Sequence, residues 1–368
     1  MSKALMVAFL AACGGSQDTG TNQVTENPPP TGDDGTETPP KDETPKPDKE
    51  ELPPPPPPKK LTLEERIAFH EGCFQDFLAE SPSFIDKCYT DSSSEELVDS
   101  GEPQATGKAA ITAQTKPFWD AFTLEGASVL TLASGDNTVN IAYMGGVNDG
   151  EMMGMKPTGK RFGILMAEVQ NLDDQGRHGN VRVYFDMGSM MAQLGGSKAP
   201  ARKAMTKPTT PGVTVIATDS DAEKANLDLV KGGFELFNKH DAKGLAAKYD
   251  AKAVFSEGPM PMDVKGSKAI GAMLTNLWKG FPDAAEQLDG AWAAGDYVVM
   301  ETTFSGTNKG PLKEMGLKKG TGKAVKARGV HVFHVAGGKI TEHWLFANGM
   351  AFAMQLGLIQ PPPQPKNP

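Results

Sequence analysis

A chain of 368 residues is long for one domain and comfortable for two, at roughly 150 residues each. Its formal charge of −9 argues against a nucleic-acid partner, because phosphate binding needs clustered Lys and Arg. Six histidines and three cysteines, with no Cys-x-x-Cys or His-Glu-x-x-His, make no metal motif and call for no cofactor.

Met1 to Ala12 places one lysine before a short apolar run and small residues, the layout of a secretory signal. No apolar run reaches the roughly 20 residues that a membrane span requires. The signal ends in Leu10-Ala11-Ala12-Cys13-Gly14, which resembles the bacterial lipobox. That resemblance implies a lipid on Cys13 and an extracytoplasmic address in the cell envelope, with the lipid as the only membrane contact. Residues 14–60 are rich in Pro, Thr, Asp, Glu and Lys, with consecutive prolines from Pro53 to Pro58. Such a segment buries too little apolar surface to offset its ordering entropy, so it reads as a disordered stalk.

The folded part repeats itself. One unit spans 61–196, a Lys/Pro/Thr/Ala segment at 197–220 reads as a linker, a second unit spans 221–360, and a disordered tail covers 361–368. Each unit opens with an amphipathic helix, carrying Ile67, Phe74, Phe77 and Leu78 in one case and Leu227, Val230, Phe234 and Phe237 in the other. Phe74, Phe77 and Tyr89 match Phe234, Phe237 and Tyr249 at one constant offset. Then come Gly107 to Ile111 and Gly266 to Ile270, each opening a helix with Trp119-x-x-Phe122 or Trp278-x-x-Phe281. Gly135-Asp136 and Gly295-Asp296 turns precede long strands. Helices first and glycine-turned strands after them predict an α+β fold of two tandem cone-shaped units, each with helices packed on a curved antiparallel sheet.

The last strand of each unit carries the candidate chemistry. In GGKITEHWLFANGMAFAMQLG, period-two alternation puts Ile340, Glu342, Trp344, Phe346 and Asn348 on one face. In GRHGNVRVYFDMGSMMAQLG the corresponding face holds Asn180, Arg182, Tyr184 and Asp186. Aligning the shared Gln-Leu-Gly endings sets Asp186 opposite Asn348.

The second unit resembles the SnoaL-like polyketide cyclases, within the nuclear transport factor two-like and ketosteroid isomerase-like fold. The residues that carry this are Asn238-Lys-His-Asp241 with Leu245, Tyr249, Gly266 with Ile270, Phe281-Pro-Asp283, Gly295-Asp296, Gly306-Thr307, Thr321-Gly-Lys323, Gly338 to Trp344 and Gln355-Leu-Gly357. The first unit matches more loosely. The resemblance implies a cone whose helices and bent sheet enclose a deep apolar pocket, here lined by Arg182, Tyr184, Trp278, Glu342, Trp344 and Asn348. It also implies a catalytic aspartate on the last strand, four residues after the tryptophan, acting as acid and base beside a carbonyl. Burial suits a carboxyl for that work by raising its pKa.

Asn348 stands at that position in the second unit, and an amide cannot take up a proton at neutral pH. The first unit keeps Asp186, with Arg182 in place of the tryptophan. Asp186 is therefore read three ways: catalytic base, polar pocket residue paired with Arg182, or solvated strand end. His331 and His334 differ in parity and point to opposite faces, which speaks against a metal cluster. Non-catalytic binding of a small apolar molecule is the leading expectation. An Asp186 cyclase or isomerase, and a structural protein with filled cones, are the alternatives. The two units are also expected to pack on each other. Cys73 and Cys88 are read as a disulfide, or as two buried free thiols.

Overall fold

The computed structural model describes residues 59–152, 154–197 and 201–359. The signal with Cys13, the stalk up to residue 58 and the C-terminal tail lie outside the described residues.

The first half begins with α1 (Leu63–Leu78) and α2 (Phe84–Cys88), then β1 (Tyr89–Leu97), β2 (Ala105–Thr106) and α3 (Gly107–Ala121). The long strands β3 (Phe122–Ser134), β4 (Asn137–Asn148), β5 (Arg161–Leu172) and β6 (His178–Tyr184) follow, then α4 (Met187–Leu194) and the short strand β7 (Val213–Ile216). The second half runs α5 (Asp221–Asn238), α6 (Ala242–Ala246), β8 (Tyr249–Glu257), β9 (Val264–Lys265) and α7 (Ser267–Gly280). It closes with β10 (Ala285–Ala294), β11 (Tyr297–Thr307), β12 (Ala324–Ala336), β13 (Lys339–Ala347) and α8 (Gly349–Gln355).

Local chemistry explains the helix starts. Thr62 accepts from the Glu65 N–H while the Glu65 carboxylate accepts from the Thr62 N–H, a capping box that satisfies two otherwise orphaned donors of α1. Ser220 and Glu223 repeat the box on α5. Glu223 does more than cap, because it also accepts from the N–H groups of Thr218 and, at 2.7 Å, Gly295. Burial opposes its charge, but these backbone donors outweigh that and hold its carboxyl at about 2.

Two sheets result, ordered β2-β1-β6-β5-β4-β3-β7 and β9-β8-β13-β12-β11-β10. Apart from β7 the orders are the same. The sheets are antiparallel except where β1 lies along β6, β8 along β13 and β7 along β3, which are parallel. A matching detail ties each hairpin down. Asn148 and Asn308, both 0% exposed, donate from Nδ2 to the end of the preceding helix (Ala121 O and Gly280 O) and accept from Thr158 N–H or Thr321 N–H. A buried amide satisfied on both sides costs little and fixes the loop.

The segment expected to be only a linker is partly structural. β7 pairs with the β3 edge, and Met205 N–H donates to Gly163 O at 2.9 Å. Gly163 permits that crossing, since a Cβ there would lie 2.2 Å from Met205 O. An otherwise open sheet edge is thereby covered.

Apolar residues segregate into three clusters. One lies in the first cone beneath α1 and α3, around Phe74, Phe84, Phe122 and Phe162. A second lies in the other cone around Phe237, Phe255, Trp278, Phe281 and Phe333. The third lies between the sheets and draws on both, with Leu132, Val139, Ile141 and Val169 meeting Val299, Val330, Val332 and Phe346. The sheets thus pack face to face through their outer surfaces. Cys73 and Cys88 form a disulfide that ties α1 to α2, with Cα atoms 5.8 Å apart.

Candidate functional site

The residues expected to line the cones lie mostly elsewhere, because the strands that carry them are bulged. The β13 register shifts between Ile340 and Glu342 against β8, and β12 shifts between His334 and Val335. A bulge moves every later side chain to the other face. Ile340 therefore sits in the second cone, whereas Trp344 and Phe346 belong to the apolar layer between the sheets. Glu342 is exposed.

Arg182 and Tyr184 also face the other sheet rather than a pocket. The Arg182 Nε and Nη2 atoms each donate to a Glu301 carboxylate oxygen at 2.7 Å, and Tyr184 O–H donates to the same group at 2.7 Å. The expected pairing of Arg182 with Asp186 is replaced by this one.

Asp186 and Asn348 are helix caps. Asp186 accepts from Ser189 N–H at 2.8 Å and Gly188 N–H at 3.3 Å, opening α4. It also accepts from Gly349 N–H of the second half at 3.1 Å. Asn348 accepts from Ala351 N–H to open α8, and its Nδ2 donates to Asp99 O of the first half at 3.1 Å. Asp186 thus spends its oxygens on three backbone donors. Both positions stitch the halves together, as does Arg328 with Glu96 and Asp99.

Of the expected pocket residues, Trp278 alone lies in a cone. It is 8% exposed, its ring stacks on His240 at 5.0 Å, and its Nε1–H has no acceptor. The bulges bring other polar groups into the second cone with it. Tyr249 Oη lies 2.7 Å from His343 Nδ1, His343 Nε2 lies 2.9 Å from His331 Nδ1, and His331 Nε2 lies 3.0 Å from Thr302 Oγ1. A Glu286 oxygen is 3.9 Å from that same His331 Nε2. Phe333 stacks on His343 at 4.1 Å and Phe255 meets it edge-on at 4.8 Å.

Burial governs the charge here. It lowers the pKa of His331 to about 4, and burial plus the neighbouring His331 pushes His343 well below its ordinary value. Both imidazoles are neutral at pH 7, so each offers one donor and one acceptor. The row from Tyr249 to Thr302 can then be directed either way, reversing as a unit, which is the property of a proton relay. Burial, then repulsion from Glu257, raises Glu286 to about 7. Burial, then Asp186, raises Glu257 to about 7 as well, against the pull of Arg202. Among the described residues no group of three or more His, Cys, Asp or Glu could hold a metal ion.

The second cone is a SnoaL-like domain: residues 229–356 match the profile of the SnoaL-like polyketide cyclase family. Similar solved structures include AclR from Streptomyces galilaeus, at 20% identity over 38% of this chain and 86% of that one, with a TM-score of 0.34. TsrD from Streptomyces laurentii is similar at 20% identity, 37% of this chain, 97% of that one and a TM-score of 0.33. IdmH from Streptomyces antibioticus gives 22%, 36%, 98% and 0.31. No curated protein matches the chain. No described helix is long and apolar enough to cross a membrane.

Proposed function

We propose that the second cone binds a small, largely apolar molecule bearing a carbonyl oxygen, in a protein held at the cell envelope through Cys13. The two halves, 61–196 and 221–360, are read as tandem SnoaL-like units; their common strand order supports that reading. One observation carries the ligand assignment: Trp278 presents a buried indole N–H with no protein acceptor, inside a wall of Phe237, Phe255 and Leu274. Leaving a buried donor unpaired costs about 1–3 kcal/mol, which a ligand oxygen recovers.

The test compares 2-acetonaphthone with 2-ethylnaphthalene, which has the same shape and no acceptor. The ketone is expected to bind about ten-fold more tightly, a difference of about 1.4 kcal/mol. Trp278→Phe should abolish that preference. Equal affinities in the parent protein, or an unchanged preference in the variant, would refute the assignment.

A second reading is acid–base chemistry on the same ligand, favoured by the Glu286 carboxyl 3.9 Å from His331. A group titrating near neutrality serves as both acid and base. Deuterium exchange into the acetyl methyl group should then be accelerated by the parent protein and by Asp186→Asn, but not by Glu286→Gln. No acceleration by the parent protein would leave binding alone.

A further inference from the structure

A second polar site lies in the other half of the molecule, outside residues 229–356. A groove of about 600 Å³ runs between α1 and β3, roofed by Lys207 to Gly212. Its walls include His70 and Glu71 of α1 and Ser128 and Thr131 of β3. These side chains lead inward. The Thr131 hydroxyl donates to Asn140 Oδ1 at 3.4 Å, and Asn140 stands opposite Glu168 in the β4–β5 register. Glu71 and Glu95 both act electrostatically on Glu168.

Two features of this interior are unexplained by the protein alone. Asn140 is 0% exposed and its Nδ2 has no acceptor. The three carboxyls meet no Lys or Arg partner among the described residues. Glu71 receives only Ser128 and Gln75, Glu95 only Tyr89 and Gln114, and Glu168 accepts no hydrogen bond at all. The groove wall thus offers the Glu71 carboxylate, and the interior behind it an amide donor in want of an oxygen and two carboxyls, Glu95 and Glu168, in want of a cation.

We propose that the first cone, entered through this groove, binds a small amine bearing hydroxyl groups, its ammonium taken by Glu168 and Glu95 and a hydroxyl oxygen by the Asn140 amide. An ammonium supplies both charge and three donors to a carboxylate pair. A hydroxyl can accept from Asn140 and donate onward. Burial, then Glu95 and Glu71, raises the Glu168 carboxyl to about 8, so at pH 7 it holds a proton that an incoming cation displaces. Glu71 from α1 and Tyr89 and Glu95 from β1 act on it electrostatically, while His70 of α1 and His178 of β6 hold the nearby Gln170. Burial keeps both histidines neutral, so neither supplies the missing charge.

Calorimetry of the whole protein with 1-amino-1-deoxysorbitol, sorbitol and butylamine tests this. The amino polyol is expected to bind at least ten-fold more tightly than either sorbitol, which lacks the ammonium, or butylamine, which lacks the hydroxyls. At pH 7 its binding should release a proton, read as an enthalpy that changes between phosphate and MOPS buffers. Glu168→Gln, nearly isosteric, should cut the affinity ten-fold and remove the proton release while the melting temperature is maintained. Asn140→Ala should narrow the gap between amino polyol and butylamine. Sorbitol binding as well as the amino polyol, no binding by the parent protein, or a Glu168→Gln variant that behaves like the parent would overturn the proposal.

Discussion

Replacing Glu301 by alanine should loosen the join between the two sheets by about 2–3 kcal/mol. The carboxylate takes two guanidinium donors of Arg182 and the Tyr184 hydroxyl, all at 2.7 Å. The Arg182 and Glu301 side chains are 25% and 17% exposed, so the pair is neither a surface bridge nor fully buried. Surface pairs contribute about 0–1 kcal/mol, and breaking a buried pair costs about 3–5 kcal/mol. The intermediate exposure sets the figure between them. Urea unfolding followed by tryptophan fluorescence suits the measurement, because Trp292 and Trp344 lie in the same layer. Most of the loss comes from stranding a guanidinium and a phenol, so Arg182→Met combined with Glu301→Met should recover most of it. A Glu301→Ala protein within about 0.5 kcal/mol of the parent, or a double variant no better than the single one, would refute this account of the interface.

Changing both Cys73 and Cys88 to serine should cost about 3 kcal/mol, the loop-closure entropy of a bridge between residues 15 apart, checked by the same unfolding assay. Glu223 titrates at about 2 when folded against an ordinary 4.5, so its contribution is complete above 4.5 and lost as pH falls towards 2. A Glu223→Gln protein should therefore show a flatter stability profile across that window, and parallel acid limbs would contradict the clamp. Mass spectrometry of protein from the native membrane should find an acylated Cys13 as its first residue, and a free amino terminus elsewhere would exclude the anchor.

Helix stripes, glycine turns and the constant spacing of Phe74, Phe77 and Tyr89 from their later counterparts made the architecture legible in the sequence. Those signals are local, and the covalent chain preserves them. The side of the sheet on which a residue lands is not local. Counting by twos from Ile340 carries Trp344 into the cone, and one extra residue in β13 reverses the count. His343 was hidden by the same slip, although its neighbours Phe333 and Phe255 are plainly core residues. Asp186 and Asn348 illustrate a different limit. A small polar residue directly before a short apolar helix is first of all a cap, and the three or four residues that follow each of them already form that helix. The composition of residues 197–220 conceals β7, because its partner, the β3 edge, is remote in sequence.

The pair formed by Arg182 and Glu301 could not exist in an assembly of two identical copies without appearing twice. In strand order and register its mirror positions are held by Trp344 and Ile141, both in the apolar layer. Identical subunits must present one self-complementary patch, so any charge near the axis faces a copy of itself or needs a duplicate partner. Carrying both halves on one polypeptide removes that obligation. One flank of the pseudo-axis can be ionic and the other greasy, which defines a single docking register and excludes the inverted one. Dilution cannot separate the halves, since each sees the other at a fixed effective concentration. Each cone is then free to acquire its own chemistry while the other keeps it folded.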